Sequence, residues 1–526
     1  MDIKSTVSKM TLKEKIYQTM IIHADEKFYS ADSDFLKNYA SEYPYGGVFV
    51  GEEIIGGAKA TGETITNAIK NYNKFAKILP IVCADTENGC GYMFPDGKYS
   101  DFPKQMALGA ARDSSLAYDY GKYTALAAKE IGINLALAPV ADINMSFHNC
   151  VVNARAFSDK PEIVSDMVTE VVKGMQEYGL GATAKHFPGD GTDYRDQHFV
   201  LTNNVLSFKE WKKTFGKVYK NLIKQGVMSI MAGHIALPSY QTDLIDGIAP
   251  PATLSYDLIT KLLKNEMGFD GVVMSDALCM NGFRSIYTGQ LKSELECFKC
   301  GVDMMLWPCA GFADGLEKAI LSGEIPESRL DDAVERILLM KERLGLIGEE
   351  KTFKTDSIDG INDIDTILSH KAITLIRDRR HMLPKKDIKR VSIIALTSYK
   401  DELDSLKCMI SEFEKRGAEV FFHEQGVKDE IWEENLDLIL YVTFGKHHKP
   451  IGPITISPSW QTLSHEREKA IAVALGSPYI PNMCLPTANM AIATYSHTKG
   501  CQTAVVEAIY GEIEFKGTMP VELPVI

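Results

Sequence analysis

The chain has 526 residues, of which 45% are hydrophobic and 24% charged, a composition typical of globular proteins. This is longer than a domain with a single hydrophobic core usually is, so two domains are predicted. Its formal charge of -13 argues against nucleic acid or an anionic membrane as the main partner. The first residues, MDIKSTVSKM, carry charges where a secretory signal has an apolar core, and no apolar run approaches the ~20 residues of a membrane span. A cytoplasmic location is therefore expected.

Short apolar runs separated by helical stretches recur from residue 45 to about residue 310. The runs are too continuous for one-sided sheets, which indicates buried parallel strands. Helical patterns lie between them, for example over residues 161–179 and over 255–268, where a glycine ends the pattern. Seven strands are predicted, at residues 45–51, 78–85, 133–143, 180–189, 226–237, 269–278 and 301–308.

This alternation is compatible with a (β/α)₈ barrel and with a doubly wound sheet. Polar residues follow several different runs, and in a barrel the C-terminal ends of the strands form one ring around one active site. A doubly wound sheet usually carries a Gly-rich phosphate turn, and no GxGxxG follows a first strand here. The TIM-like barrel is therefore favoured. The residues at these ends are Asp85, Asp142, Lys185, His186, His234 and Asp276.

A helix predicted over residues 327–346 closes the barrel pattern, which gives a catalytic domain over residues 1–346. The polar segment that follows predicts a linker over residues 347–368. A second alternation of runs and helices predicts a smaller αβα sandwich over residues 369–526. Its runs lie at residues 390–399, 417–424, 436–445 and 469–479, and its last helix at 501–512.

Ten cysteines are scattered without a repeating framework. In the absence of an export signal, reduced structural thiols are expected. Cys297 and Cys300 have C-x-x-C spacing, but they lie in a helix-like stretch and lack the second pair that a metal site needs. We expect neither a metal nor a cofactor.

Asp276 directly follows the apolar run GVVMS, so its carboxylate is expected at the barrel mouth. A carboxylate held there can attack an anomeric carbon. The competing interpretation is a structural role, because aspartate often caps the N-terminus of a following helix.

The segment AKHFPGDGTDYRDQH, residues 184–198, combines several candidate groups. A strand presents Lys185 and His186, and a loop then ends in the D-x-H of Asp196 and His198. Residues two apart in an extended loop project the same way, so the carboxylate can accept from one imidazole nitrogen and raise the basicity of the ring. His198 is thus a candidate acid/base, although a metal site or a solvated loop would also be compatible with this pattern.

Charged groups around a barrel mouth can bind sugar hydroxyls. We predict this role for Asp85, after the second run, and for Arg155, after the third. Asp142 and Glu87 are interpreted as structural. His234 is included among the substrate-binding candidates, although a lone histidine after a strand is often a core group.

The segments APVADIN, NARAFSDKPEIV, KHFPGDGTDYRDQH and PATLSYDLITKLLKNEMGFDGVVMSDAL resemble family 3 glycoside hydrolases, specifically the β-N-acetylglucosaminidase branch. The resemblance covers nearly the whole chain, including GSPY and the closing GEIEFKGTMPVELP. It implies that Asp276 is the nucleophile and that Asp196 and His198 form an acid/base dyad. It also implies a set of sugar-binding residues, namely Asp85, Arg155, Lys185 and His186.

Two departures from the branch pattern bear on the substrate. The branch usually has KHFPGHG, whereas Asp190 replaces the second histidine here. It usually has DQEGG followed by arginines, whereas this chain has DTENGCGYM, with Cys90 and Met93 in their places. The missing arginines argue against an anionic or peptide-bearing cell-wall substrate, and Asp190 bears on the identity of the sugar.

The sequence therefore predicts a retaining, exo-acting β-N-acetylglucosaminidase that removes terminal β-linked N-acetylhexosamine through a glycosyl ester on Asp276. A carbohydrate is the expected partner. Phosphate could replace water as acceptor, because an imidazole base does not repel an anion as a carboxylate would, and the enzyme would then be a phosphorylase. A β-glucosidase and a sugar-binding protein without turnover are also compatible with these residues.

Overall fold

The structure, a computed structural model, describes residues 1–51, 60–91, 93–94, 98–397, 399–424, 435–445 and 468–525. Ser398, in the run predicted over residues 390–399, and Tyr92, in the segment DTENGCGYM, lie outside the described residues, as do parts of both predicted domains. Within these ranges an eight-stranded parallel sheet is followed by a six-stranded mixed sheet, and helices flank both. The predicted fold class, a barrel followed by an α/β sandwich, is confirmed.

The strands of the barrel sheet are β1 Met20–His23, β2 Gly47–Phe49, β3 Ile81–Ala84, β4 Leu135–Ala136, β5 Gly181–Phe187, β7 Ser229–Ala232, β9 Val272–Ser275 and β10 Met305–Leu306. Their order in the sheet is β10-β1-β2-β3-β4-β5-β7-β9. All neighbours pair in parallel. A bridge between Met274 and Met304 joins β9 to the start of β10, so the ring closes. Two short strands, β6 Thr202–Asn203 and β8 Ile235–Ala236, pair with each other outside the barrel.

Helices cover the outside of the barrel. Gly121 and Gly174 allow two of them to pack closely: a Cβ on either glycine would lie 2.2 Å from a carbonyl oxygen of the other helix. The helices are Ile3–Lys9, Leu12–Gln18, Ser33–Glu42, Gly62–Asn73, Gln105–Ala111, Ser114–Ile131, Pro161–Glu177, Phe208–Lys213, Phe215–Gln225, Asp257–Glu266, Asn281–Arg284, Gln290–Lys299, Phe312–Leu321 and Glu327–Arg343, of which Asp257–Glu266 is wound as a π-helix. No described helix is both long and apolar enough to span a bilayer.

The second sheet has the order β11-β16-β15-β14-β12-β13, where β11 is Thr374–Asp378, β12 Arg390–Ala395, β13 Glu419–Glu424, β14 Leu438–Thr443, β15 Ala470–Ala474 and β16 Met490–Ala493. Only β11 pairs antiparallel among these strands. Successive residues of β12 enter different apolar clusters: Val391 and Ile393 belong to one, Ile394 to another. Both faces are therefore covered, by helices and loops that include Asp363–Ala372, Lys400–Ser405, Lys407–Lys415, Ile480–Met483 and Lys499–Tyr510.

The helix Asp363–Ala372 begins inside the segment predicted as a linker. It packs against Gln105–Ala111 on the barrel side and against Lys499–Tyr510 on the other. The division into residues 1–346 and 369–526 stays a prediction. All ten cysteines are free thiols, and both members of the C-x-x-C pair are buried.

Candidate active site

The C-terminal ends of the barrel strands surround a single mouth. Strand β4 continues towards it through a bridge between Val140 and Lys185, which brings the segment after β4 beside β5. The polar residues singled out in the sequence lie at these ends, namely Asp85, Asp142, Lys185, His186, His234 and Asp276.

Asp276 extends β9 into the mouth. Its backbone N–H donates to the Ala232 carbonyl at 2.9 Å, and its Oδ1 accepts from the Ala277 N–H at 2.7 Å. Burial works to raise the pKa of this carboxyl, but the charges of nearby histidines, His186 first among them, hold the pKa below its ordinary value. The next helix is capped at Met280, so Asp276 is not its N-cap. An ionised carboxylate at this position is suited to nucleophilic attack.

Asp196 and His198 are in direct contact. The Nδ1 atom of His198 lies 2.6 Å from Oδ1 of Asp196, which also accepts from the His198 backbone N–H at 2.8 Å. Since a carboxylate only accepts, Nδ1 carries the proton in this pair, and Nε2 is the nitrogen that can exchange a proton with substrate. Burial works to lower the pKa of His198, but the hydrogen bond to Asp196 and the charges of Asp196 and Asp276 raise it above its ordinary value.

The loop that carries His198 is held against the segment after Asp276. The Asn281 N–H donates to the His198 carbonyl at 3.0 Å, and Oε1 of Gln197 accepts from the His234 N–H at 2.9 Å. A Cβ on Gly282 would lie 2.3 Å from the Gln197 carbonyl oxygen, so this approach requires glycine. The two predicted catalytic groups are thus fixed relative to each other by packed backbone.

Glu87 joins two cations at the mouth. Arg155 donates to both of its oxygens, at 2.7 Å and 2.9 Å, and Nζ of Lys185 lies 2.6 Å from its Oε1. Burial works to raise the pKa of Glu87, but the charges of Arg155 and Lys185 hold it well below its usual range. Lys185 also donates to Asp85 at 2.8 Å, and the Asp85 side chain is 40% exposed. Of these four groups Asp85 is the most accessible to a ligand.

Asp142 orients His186. Its Oδ2 lies 2.7 Å from Nδ1 of His186, while its Oδ1 accepts from the backbone N–H groups of His186 and Asp190, at 3.1 Å and 2.8 Å. Asp190 is buried and accepts from the Gly191 N–H at 2.6 Å and from Nδ2 of Asn149 at 3.0 Å. Burial and the neighbouring charge of Asp142 raise the pKa of Asp190 to about 7.

His234 is fully buried, and both ring nitrogens have partners. Nδ1 lies 3.0 Å from Oγ1 of Thr253, and Nε2 lies 3.0 Å from the Ala277 carbonyl oxygen. Burial lowers the pKa of this histidine. This geometry favours a role in holding the turn after Asp276, and the contact between His234 and substrate stays a prediction.

A cavity of about 390 Å³ opens beside His198 and lies between the barrel and the second sheet. Asp85 and Arg155 line it from the barrel, and on the side of the second sheet Glu402 of the helix Lys400–Ser405 and His497, between β16 and the last helix, line it. Its size is within the range of small-molecule sites. No sequence pattern pointed to Glu402 or His497, because only the folded chain brings these segments of the second domain to the barrel mouth.

The metal site considered for this loop would need His186, Asp196 and His198 to converge. Instead His186 bonds Asp142, while His198 bonds Asp196. Within the described residues, no three His, Cys, Asp or Glu side chains are grouped so as to hold a metal ion.

We expect the Asp190→Asn variant to lose a pH dependence of stability. The folded pKa of about 7 lies above the ordinary 3.8, so the folded state holds an extra proton between these pH values. The free energy of unfolding of the wild type should therefore fall as the pH rises through this window, by up to roughly 4 kcal/mol. Asparagine imitates the protonated acid, and urea unfolding at several pH values measures whether the fall disappears.

Asp193→Asn is the matched control, because it makes the same change in the same loop. Asp193 is paired with Arg195 at 2.5 Å, and although burial works to raise the pKa of Asp193, this partner holds it below the ordinary value. Loss of the Asp193 charge should destabilise the protein at neutral pH, with an effect that fades in acid. Equal responses of the two variants would show that Asp190 does not hold the extra proton.

The family model described as "Glycosyl hydrolase family 3 N terminal domain" matches residues 11–340. A "Beta-N-acetylglucosaminidase/beta-glucosidase" of Cellulomonas fimi is 33% identical over 350 residues, which are 65% of this chain and 60% of that protein. "Beta-hexosaminidase A" of Pseudoalteromonas piscicida is 23% identical over 543 residues, covering 92% of this chain and 90% of the relative. The chain thus spans less than two thirds of the first relative and most of the second.

Two solved structures share the whole fold. "Beta-glucoside phosphorylase BglX bound to 2FGlc" has a TM-score of 0.86 at 23% identity and covers 99% of this chain and 96% of its own. A family 3 β-N-acetylglucosaminidase from Paenibacillus sp. str. FPU-7 has a TM-score of 0.82 at 24% identity and covers 98% of this chain and 99% of its own. Because both structures are less than 25% identical to this chain, the similarity establishes the shared two-part fold and nothing about activity.

Proposed function

The chain belongs to glycosyl hydrolase family 3, and from this premise we propose that it is a retaining, exo-acting β-N-acetylglucosaminidase. The observation that carries the proposal is the meeting of an ionised Asp276 with the Asp196–His198 pair at one barrel mouth. The choice of sugar is supported by the names of the relatives in Cellulomonas fimi and Pseudoalteromonas piscicida.

In the first step, the Asp276 carboxylate attacks the anomeric carbon and the bond from that carbon to the leaving oxygen breaks. His198 gives its Nε2 proton to the leaving oxygen, and its raised pKa favours the protonated ring that this step needs. The sugar is then held as an α-linked ester of Asp276. Asp196 retains its hydrogen bond to Nδ1 and stabilises the ring in both protonation states.

In the second step, water loses a proton to Nε2 of His198 and attacks the anomeric carbon from the opposite side. The ester bond breaks, Asp276 leaves as a carboxylate, and the product regains the β configuration. The remaining polar groups of the mouth would bind the sugar hydroxyls, with Asp85 and the Glu87-held cations Arg155 and Lys185 as the first candidates.

A phosphorylase is the second candidate, and the imidazole of His198 is what favours it. A neutral base leaves no negative charge in the path of an anionic acceptor, whereas a carboxylate base would repel phosphate. The chemistry is the same up to the ester, and phosphate then takes the place of water. The product would be a sugar 1-phosphate.

Purified protein should cleave an aryl β-N-acetylglucosaminide with a higher kcat/KM than the matching aryl β-glucoside. Product analysis with and without millimolar phosphate identifies the acceptor. If free sugar is the only product in the presence of phosphate, the phosphorylase hypothesis is excluded. If sugar 1-phosphate forms, simple hydrolysis is excluded. A clear preference for the glucoside would refute the choice of sugar. If neither substrate is turned over, a sugar-binding protein without catalytic activity would be the remaining hypothesis.

A further inference from the structure

A second buried carboxyl group, Asp190, lies close to His186 and takes no part in the mechanism above. Asp142 links the two residues: its Oδ2 lies 2.7 Å from Nδ1 of His186, and its Oδ1 accepts from the backbone N–H of Asp190 at 2.8 Å. The Asp190 side chain is buried, and its Oδ1 accepts from the Gly191 N–H and from Asn149. Its Oδ2 is buried as well and has no hydrogen-bond partner among the described residues. We call Asp142, His186 and Asp190 the carboxyl–imidazole cluster.

The carboxyl–imidazole cluster holds two carboxyl groups and a single basic group. The charges that act on Asp190 are those of Asp142 and His186, and within the described parts of the chain no lysine or arginine forms an ion pair with Asp190. Tyr219, on the helix Phe215–Gln225, lies within electrostatic reach of both carboxyl groups. Burial and the charges of these carboxyl groups raise the pKa of Tyr219 well above its ordinary value, so this hydroxyl stays neutral. One imidazole therefore balances two carboxyl groups.

Two buried carboxyl groups that share one imidazole cannot both be ionised at low cost. Asp142 is suited to carry the charge, because its oxygens accept from two backbone N–H groups and from the imidazole. Asp190 has one oxygen without a donor, and an ionised oxygen buried in this way is costly. The proton therefore belongs on Oδ2 of Asp190, in agreement with the pKa of this group, which burial and the charge of Asp142 raise to about 7.

His186 connects the carboxyl–imidazole cluster to the reacting carboxylate. Asp142 holds Nδ1, which fixes the plane of the ring and the direction of Nε2. Burial works to raise the pKa of the Asp276 carboxyl, and the charge of His186 is the first of the effects that hold it below its ordinary value. Loss of the Asp190 proton would place a second negative charge beside Asp142, whose Oδ1 accepts the Asp190 N–H. The two carboxylates would then repel each other, and the ring that Asp142 orients would lose its position.

We propose that Asp190 is a positioning residue whose proton is required for turnover. With the proton in place, Asp142 is the one anion of the carboxyl–imidazole cluster and holds His186 in the position from which it acts on Asp276. When the proton is lost to solvent, this arrangement is disturbed and the first step slows. The inference rests on the proposed function, and it adds a protonation requirement that is separate from the proton that His198 gives to the leaving oxygen.

The test is the pH dependence of kcat/KM with an aryl β-N-acetylglucosaminide whose phenol is very acidic. This leaving group departs without a proton from His198, so a fall in kcat/KM between about pH 6 and pH 9 reports another group. We expect the wild type to lose roughly tenfold or more as the pH rises through about 7, as expected for the loss of one contact made by a charged group. Asp190→Asn imitates the protonated acid, so its profile should stay level over this range.

Two further variants identify the group that causes the fall. His198→Ala should keep the fall, and Asp190→Asn introduced into that variant should abolish it. Asp193→Asn is the matched control, because Asp193 lies in the same loop but is paired with Arg195, and its profile should fall as the wild type does.

A fall that survives in Asp190→Asn would overturn the inference. A level profile in His198→Ala would overturn it as well, and this result does not depend on whether Asp190→Asn folds. A wild type that cleaves the substrate at no pH would refute the proposed function itself, and the inference with it, so the two failures are distinguishable.

Discussion

Asp276→Asn is expected to reduce turnover of an aryl β-N-acetylglucosaminide by on the order of 10⁴-fold or more, because the nucleophile is removed. Asparagine keeps an acceptor for the Ala277 N–H, so the turn after β9 should persist. Asp270→Asn is the matched control: Asp270 is exposed and lies two residues before β9, at the end away from the mouth, so its replacement should leave kcat unchanged. A fully active Asp276→Asn variant would remove Asp276 as the nucleophile.

A 2-fluoro sugar with a good leaving group should trap the ester in the wild type. Fluorine at C2 destabilises the positive charge needed for the second step, while the good leaving group preserves the first. Mass spectrometry of a digest should place the label on the peptide that contains Asp276. A label on another residue, or none despite normal turnover, would exclude the covalent step proposed here.

The sequence predicted most of the barrel because seven of its strands are long apolar runs. It missed β1, Met20–His23, because four residues that directly follow a helix show no separable period. In the second sheet it missed β11, where Arg377 and Asp378 interrupt the apolar pattern, and the four-residue β16. Short strands in such positions are specified by their neighbours in the sheet and not by their own composition.

The charged side of the site was accessible to sequence reasoning, because Asp85 and Asp276 directly follow strands and Lys185 lies near the end of β5. Glu87 was interpreted as structural, and the structure adds that it orients Arg155 and Lys185 together. The ring contacts among His23, Phe49 and Trp307 were not accessible, since the three residues lie in distant parts of the chain. Aromatic residues at strand ends resemble core residues in the sequence, and only the closure of the barrel shows that these three meet.

His198→Ala should reduce the rate of cleavage most for substrates whose leaving group must be protonated in order to depart. Alkyl and sugar leaving groups should lose roughly 10²–10⁴-fold in rate, the usual contribution of general acid/base catalysis. Aryl groups with very acidic phenols depart unaided, so their first step should be nearly preserved. His370→Ala is the matched control, because His370 forms a similar pair with Glu507, 2.7 Å apart, and neither residue lines the cavity beside His198. Equal slowing of both substrate classes by His198→Ala would mean that His198 positions the loop and moves no proton.

The Asp196→Ala variant tests whether His198 acts together with Asp196 or as an isolated histidine. The imidazole remains, so the rate should fall less than in His198→Ala. Asp196 is the partner that raises the pKa of His198 against the opposing effect of burial, so its removal should lower that pKa. The protonated acid would then be lost at a lower pH, and the alkaline limb of the kcat/KM profile should move towards acid.

The pH profile therefore gives a result that simple misfolding cannot imitate, because a smaller active fraction lowers the profile without moving it. A silent Asp196→Ala variant, with an unmoved alkaline limb, would contradict the dyad, and Glu402 and His497, which line the cavity from the second domain, would become the next candidates for the acid.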